Sequence, residues 1–115
     1  MFNYPKRHLK KLVKNGDYKE AIEFGERIEE KFSDDSDYYF IMGSIYYILE
    51  DAPNALSYFD KALSLNENDS ETLFLKANVH AFLKETDQVK ECCKRILSFD
   101  PDNADAKNIL KNLET

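Results

Sequence analysis

The sequence predicts an all-α fold, a solenoid of helix pairs laid side by side, and three observations lead there. With only three Gly and three Pro in 115 residues, the chain lacks the turn residues that an all-β fold needs. Its apolar residues recur at helical spacing rather than in alternation. The pattern also repeats every 34 residues with no insertion: Gly43 maps onto Leu9 and Ala77, Tyr46 onto Leu12 and His80, Ala55 onto Ala21 and Val89, and Ala62 onto Ile28 and Ile96. A gap-free period of that length marks stacked units, each burying its apolar face only against its neighbours. The expected organisation is one domain, 1–115, with repeats at 2–35, 36–69 and 70–103 and a closing helix over 104–114.

Each element has a local cause. In repeat one a helix starts at Asn3 or Tyr4 and carries Pro5 in its first turn, where a missing N–H costs little. Leu9, Leu12 and Val13 form its apolar stripe, and Asn15-Gly16 ends it. Asp17-Tyr18-Lys19-Glu20 then opens a second helix as a capping box, with Asp17 expected to accept from the first-turn amides. Repeat two begins at Ser36, the expected N-cap; Tyr39, Met42, Gly43 and Tyr46 lie on its first helix, and Ala55, Phe59 and Ala62 on its second. Glu50-Asp51-Ala52-Pro53 turns the chain between them. A helical Gly costs about 1 kcal/mol relative to Ala, so Gly43 implies close packing against Ala55, Phe59 or Ala62; replacement by Ala is expected to be mild, and by Leu disruptive. Repeat three runs from Ser70 to about Leu83 and from Thr86 to Phe99. Pro101 stops it, and Asn103 caps a final helix, Ala104 to Leu113, striped with Ala106, Ile109, Leu110 and Leu113.

The landmarks of repeat two resemble the tetratricopeptide repeat (TPR) pattern W-x2-L-G-x2-Y…A-x3-F-x2-A…P. Tyr39, Met42, Gly43, Tyr46, Ala55, Phe59 and Ala62 fill seven of its eight positions with the expected residue or a near equivalent; the eighth, usually Pro, is Glu67. Repeat one departs from the pattern, with Leu9 at a position usually small and Gly25 at one usually aromatic. These positions generally face each other, so the exchange conserves volume. The resemblance implies a right-handed solenoid of three TPR-like helix-turn-helix pairs plus a C-terminal capping helix. It also implies a non-catalytic protein–protein interaction scaffold that holds a peptide segment or partner protein in its concave groove. The alternative is a structural homo-oligomer whose apolar groove receives a segment of a second copy.

In that family the first helix of each repeat lines the concave face. By this register the groove offers Lys6, Arg7 and Lys10 from repeat one, Phe40, Ile41, Ser44 and Tyr47 from repeat two, and Phe74, Leu75, Asn78 and Phe82 from repeat three. It is basic at one end and apolar-aromatic elsewhere, so the expected partner is a protein or peptide with apolar anchors and an acidic end. Family members that grip the carboxylate of chaperone tails supply Lys and Asn from repeat one, Asn from repeat two, and Lys and Arg from repeat three. Those positions hold Lys6, Lys10, Ile41, Glu71 and Leu75 here. Only Lys6 matches and Glu71 has the opposite sign, so a chaperone tail is not expected.

Charge and composition exclude other classes. The net charge is −6, but Lys6, Arg7, Lys10, Lys11 and Lys14 give residues 1–14 a charge of +5, leaving 11 basic residues against 22 acids, −11, in the remainder. A body of that sign repels nucleic acid. No apolar run approaches the roughly 20 residues that span a bilayer. A membrane-surface adaptor using the basic first helix is a weaker reading, because that helix is short and a basic cluster contributes only about 1 kcal/mol per charge near anionic lipid. No membrane partner is expected. The opening MFNYPKRHLKK lacks the apolar core of a signal peptide, and the expected compartment is the cytoplasm. No catalytic constellation, cofactor or metal set emerges. His8 and His80 lie two repeats apart, and His80 occupies a core ring position, where a buried, hydrogen-bonded imidazole is expected. Glu26, Glu29, Glu30, Asp34 and Asp35 read as solvated surface without calcium-loop spacing. Adjacent Cys92 and Cys93 point about 100° apart on a helix, so Cys93 is expected in the core and Cys92 partly exposed.

Overall fold

A computed structural model describes residues 4–114, and the expected start at Asn3 lies outside them. Among the described residues there are seven α-helices and no strand: α1 (Tyr4–Lys14), α2 (Tyr18–Ile28), α3 (Ser36–Ile48), α4 (Ala52–Leu65), α5 (Ser70–Phe82), α6 (Thr86–Phe99) and α7 (Ala104–Leu113). A short 3-10 turn, Glu29–Phe32, continues α2. The helices pair as α1/α2, α3/α4 and α5/α6, and α7 packs on α6. The first helices of successive pairs also touch, α1 against α3 and α3 against α5, so they form one layer of a rod 47 × 25 × 20 Å in extent.

The 34-residue period is written into the backbone itself. Gly16, Glu50 and Lys84 are equivalent positions, and all three adopt positive φ, 79°, 59° and 62°. In each turn the next residue's N–H reaches back to a helix carbonyl: Asp17 to Leu12 at 2.9 Å, Asp51 to Tyr46 at 2.9 Å, and Glu85 to His80 at 2.9 Å. These are Schellman turns, which satisfy the last carbonyls of α1, α3 and α5. The between-repeat caps keep the same period at Asp35, Asp69 and Asn103. Asp35 accepts from the N–H groups of Asp37 and Tyr38 at 2.9 and 3.2 Å. Asp69 accepts from Glu71 and Thr72 at 3.1 and 3.3 Å, and Asn103 accepts from Ala106 at 3.0 Å.

Two expectations about caps are corrected. Asp35, not Ser36, caps α3: its extended backbone (φ −111°, ψ 105°) aims a carboxylate at the first-turn amides, where the helix dipole also favours negative charge. Asp17 stands at the N-cap position of α2 but makes no side-chain cap bond. Its backbone sits at ψ 63°, whereas Asp51 in the matching Schellman turn sits at ψ 85° and does accept from Asn54 N–H at 3.2 Å.

The core explains why α3 is apolar nearly all round. Tyr38, Met42 and Ile45 are fully buried, and Tyr39 and Ile41 nearly so, because α3 is covered by repeat one on one side and by α4 and α5 on the other. Tyr38, which the repeat pattern does not single out, donates its hydroxyl to Gly25 O at 2.7 Å, and burial pushes its pKa well above the usual phenol range. Leu9 does face Gly25: a Cβ built on Gly25 would lie 3.5 Å from Leu9 Cδ1 and collide with Met42 Sδ. Phe59, fully buried, anchors a second packing centre with Ala52, Ala55 and Val79. A third joins Leu63, Leu73, Ala77, Val89, Cys93 and Ile96, against which Ile109, Leu110 and Leu113 of α7 rest part-buried. His80 is buried, and its Nδ1–H donates to Glu85 Oε1 at 2.8 Å. Cys92 is a correction: it is only 4% exposed, because α6 lies between α5 and α7 and both of its sides are covered. Burial raises its thiol to about 11.

Candidate functional site

The first helices line one face of the rod, and the basic end of that face is largely neutralised. Lys6 Nζ lies 2.8 Å from Asp35 Oδ2 and 3.3 Å from Asp37 Oδ2, and Lys10 Nζ is also 3.3 Å from Asp37 Oδ2. Burial disfavours the Lys6 charge, but hydrogen bonds to Asp35 and Asp37 outweigh it and its pKa rises. Burial also opposes the Asp35 charge; the Lys6 hydrogen bond and the two backbone N–H groups overcome it and hold the carboxyl below its ordinary value. Asp35, expected on the solvated surface, is thus half-buried and doubly engaged as cap and ion-pair partner. Arg7 is exposed.

The expected apolar groove residues fall into three groups. Ile41 is turned away from solvent, 7% exposed within the core between repeats one and two, because α1 and α2 cover that side of α3. Phe40, Phe74 and Leu75 are half-buried, each packed against a core cluster. Ser44 is half-buried with its hydroxyl donating to Phe40 O at 2.8 Å, within its own helix. The structure brings Tyr47, Asn78 and Phe82 together: Asn78 Nδ2 donates to Tyr47 Oη at 3.3 Å, and Phe82 stands 65% exposed beside them.

These three residues border a cavity of about 320 Å³ between the C-terminal ends of α3 and α5 and the start of α4. Sequence reasoning did not find its other walls, Ile48, Ala52, Ala55 and Val79, or the acidic residues Glu50 and Asp51 that also line it. The period holds the missing signal. Ile48 and Leu49 are equivalent to Phe82 and Leu83, and all four are exposed, whereas repeat one has Lys14 and Asn15 there. Position 52 explains the opening: repeat one carries Tyr18 at the equivalent place, packed against its core, and repeat two has only Ala.

The helix pairs, the 34-residue backbone period and the grooved face together match a known architecture. Residues 46–113 match the sequence profile described as tetratricopeptide repeat, which is more than half of the chain. The chain belongs to the tetratricopeptide repeat family. Solved TPR domains share its fold at low identity. The first TPR of Spaghetti (RPAP3) bound to the HSP90 peptide SRMEEVD has a TM-score of 0.84 at 23% identity, covering 96% of this chain and 91% of that one. The second TPR domain of human RPAP3, in complex with the HSP70 peptide SGPTIEEVD, has a TM-score of 0.84 at 19% identity, covering 96% and 92%. PcrH in complex with the chaperone binding region of PopD has a TM-score of 0.80 at 13% identity, covering 96% and 84%. A comparison with curated proteins gives no match. Among the described residues of this TPR array, no three His, Cys, Asp or Glu side chains converge on a possible metal position, and no helix is long and apolar enough to cross a membrane.

Proposed function

We propose that this chain is a non-catalytic protein-interaction scaffold whose concave groove holds a peptide segment of a partner protein. The unit is three repeats, 2–35, 36–69 and 70–103, closed by the helix over 104–114. The observation that carries the reading is Phe82, a large aromatic residue 65% exposed at the mouth of an apolar cavity between first helices. An aromatic side chain left in water beside a concave apolar surface marks a place where a partner's burial gains free energy. Solved relatives of the same fold hold peptides, which supports this reading. The groove residues are Lys6, Arg7, Lys10, Phe40, Ser44 and Tyr47 together with Phe74, Leu75, Asn78 and Phe82; Ile41 supports them from the core. An acidic end of the partner would lie near Arg7 and Lys10 at the α1 end.

A chaperone tail remains a poor fit. The positions that would hold its carboxylate carry Glu71, Leu75 and the buried Ile41, so just the α1 lysines are available, and Lys6 is already bonded to two aspartates. The exposed set Ile48, Leu49, Phe82 and Leu83 favours one second reading, self-association through the same edge. Light scattering coupled to size exclusion separates the two: a monomer at micromolar concentration supports the peptide scaffold, and a stable dimer supports the homo-oligomer. Titration of a partner segment into wild type and Phe82→Ala tests the groove itself. Loss of one exposed aromatic anchor should weaken binding roughly tenfold, and unchanged binding would remove the groove as the site.

A further inference from the structure

We infer that the cavity between α3, α4 and α5 is an anchor pocket for one bulky apolar side chain of the partner, and that Glu50 at its edge selects a lysine or arginine next to that anchor. The inference rests on the peptide-scaffold reading and adds the partner's chemistry. Ile48, Ala52, Val79 and Phe82 give the pocket apolar walls, and about 320 Å³ suffices for one side chain of that kind with its flanking backbone. Above the walls, Asn78 donates to Tyr47, which leaves the tyrosine hydroxyl hydrogen and the asparagine carbonyl able to meet a peptide C=O and N–H.

Charge fixes the neighbour of the anchor. The two charged residues in the pocket wall, Glu50 and Asp51, are both acidic. Asp51 is engaged with Asn54, its Oδ2 accepting from Nδ2 at 2.8 Å. Glu50 is exposed and forms no ion pair among the described residues. A peptide cation placed there meets an unpartnered carboxylate within a body of −11 charge, whereas a peptide anion is repelled. The pocket end therefore prefers a basic neighbour, opposite in sign to the preference at the α1 end, so the two ends together would fix the direction in which a segment lies.

The repeats supply fold-compatible variants for the test. Ala52→Tyr copies Tyr18 of repeat one and fills the floor of the pocket. Glu50→Lys copies Lys84 of repeat three, which already occupies the same positive-φ turn position. The probe is a random twelve-residue peptide library displayed on phage and selected against the immobilised chain, followed by titration of the enriched synthetic peptides. Enriched peptides should share a Leu, Ile, Met or Phe with Lys or Arg within two positions. Ala52→Tyr should abolish their binding while keeping the wild-type helical circular-dichroism spectrum, and Phe82→Ala, at an exposed pocket position, should weaken it while melting like wild type. Glu50→Lys should weaken it roughly fivefold to tenfold at low salt, since reversal replaces attraction with repulsion, and the difference should fade at high salt. Peptides that bind Ala52→Tyr as well as wild type but lose binding with Lys10→Ala would overturn the pocket and leave the groove reading standing. Peptides that need the pocket but ignore Glu50→Lys would overturn the charge rule. Enrichment of no peptide would remove the groove reading and this inference with it. A wild-type dimer that Ala52→Tyr converts to monomer would make a second copy the occupant and overturn the partner chemistry.

Discussion

Gly43→Ala isolates the contact on which the α3/α4 pair is built. From the sequence alone Ala is expected to be harmless, since it gains about 1 kcal/mol of helix propensity over Gly. The structure reverses that expectation. A Cβ on Gly43 would stand 2.6 Å from Phe59 Cδ1 and 2.7 Å from Cε1. The ring would have to retreat by most of an ångström, yet Phe59 is fully buried and flanked by the Phe40 and Tyr47 rings, with centroids 6.2 and 6.5 Å away. Overpacking costs about 1–3 kcal/mol, and a ring boxed in this way puts it at about 2–3 kcal/mol, which outweighs the propensity gain. The expected net loss is about 1–2 kcal/mol, which for a domain of this size lowers Tm by roughly 3–6 °C per kcal/mol. Thermal melts followed by circular dichroism measure it. Gly25→Ala is the internal control: its new Cβ meets the flexible end of Met42, which can swing aside, so it should cost less. Gly43→Ala melting at or above wild type would refute the argument, as would a larger loss from Gly25→Ala.

Four further outcomes follow from other contacts. Gly16→Ala should cost about 1 kcal/mol in a urea titration because its φ of 79° suits glycine, and Lys84→Gly at φ 62° should be neutral or slightly stabilising by the same logic. Cys92 and Cys93 should react slowly with a thiol reagent at pH 8 and rapidly in denaturant, since both are buried and Cys92 is raised to about 11. Stability should be lost at both ends of the pH range: above pH 10, because the Tyr58 phenol is raised to about 12 by burial and ionises first in the unfolded chain, and below the ordinary Asp value of 3.8, as protonation of Asp35 breaks its pair with Lys6. Lys6→Met should reduce that Asp35-linked part of the acid transition, leaving the share held by the Asp37 and Tyr38 N–H groups. Deleting 104–115 should uncover Leu97, Phe99 and the α6 face beneath Ala106, lowering Tm and promoting aggregation; an unchanged, monomeric melt would give α7 another role.

The period was the most legible feature of the sequence, because a stacked array repeats its packing positions and each repeat confirms the others. Helices α3 to α7 start and stop within a residue or so of their sequence expectation, since Pro53, Pro101, Asn103 and the turn residues have direct backbone consequences. Asp35 was harder to place: an acidic run looks like solvated surface until α1 is seen to bring Lys6 beside it. The burial of Cys92 is not legible in sequence, because one helix's periodicity does not show how many neighbours cover it. The pocket was half legible. Tyr47, Asn78 and Phe82 fall on the expected groove face, but the cavity arises from a residue that is small, Ala52, and absence of volume carries no hydrophobic signal. Comparing equivalent positions, Tyr18 against Ala52 and Lys14 against Ile48, would have exposed it.

The central claim, that a partner segment lies along the first helices with an apolar anchor between α3 and α5, is tested most directly by chemical-shift mapping on the isotope-labelled chain with a selected peptide. The largest changes should fall at Tyr47, Ile48, Asn78 and Phe82, continue along α3 towards Arg7 and Lys10, and vanish in Ala52→Tyr. Changes confined to α2, α4 and α6, with Phe82 silent, would place the partner on the opposite face and contradict the account.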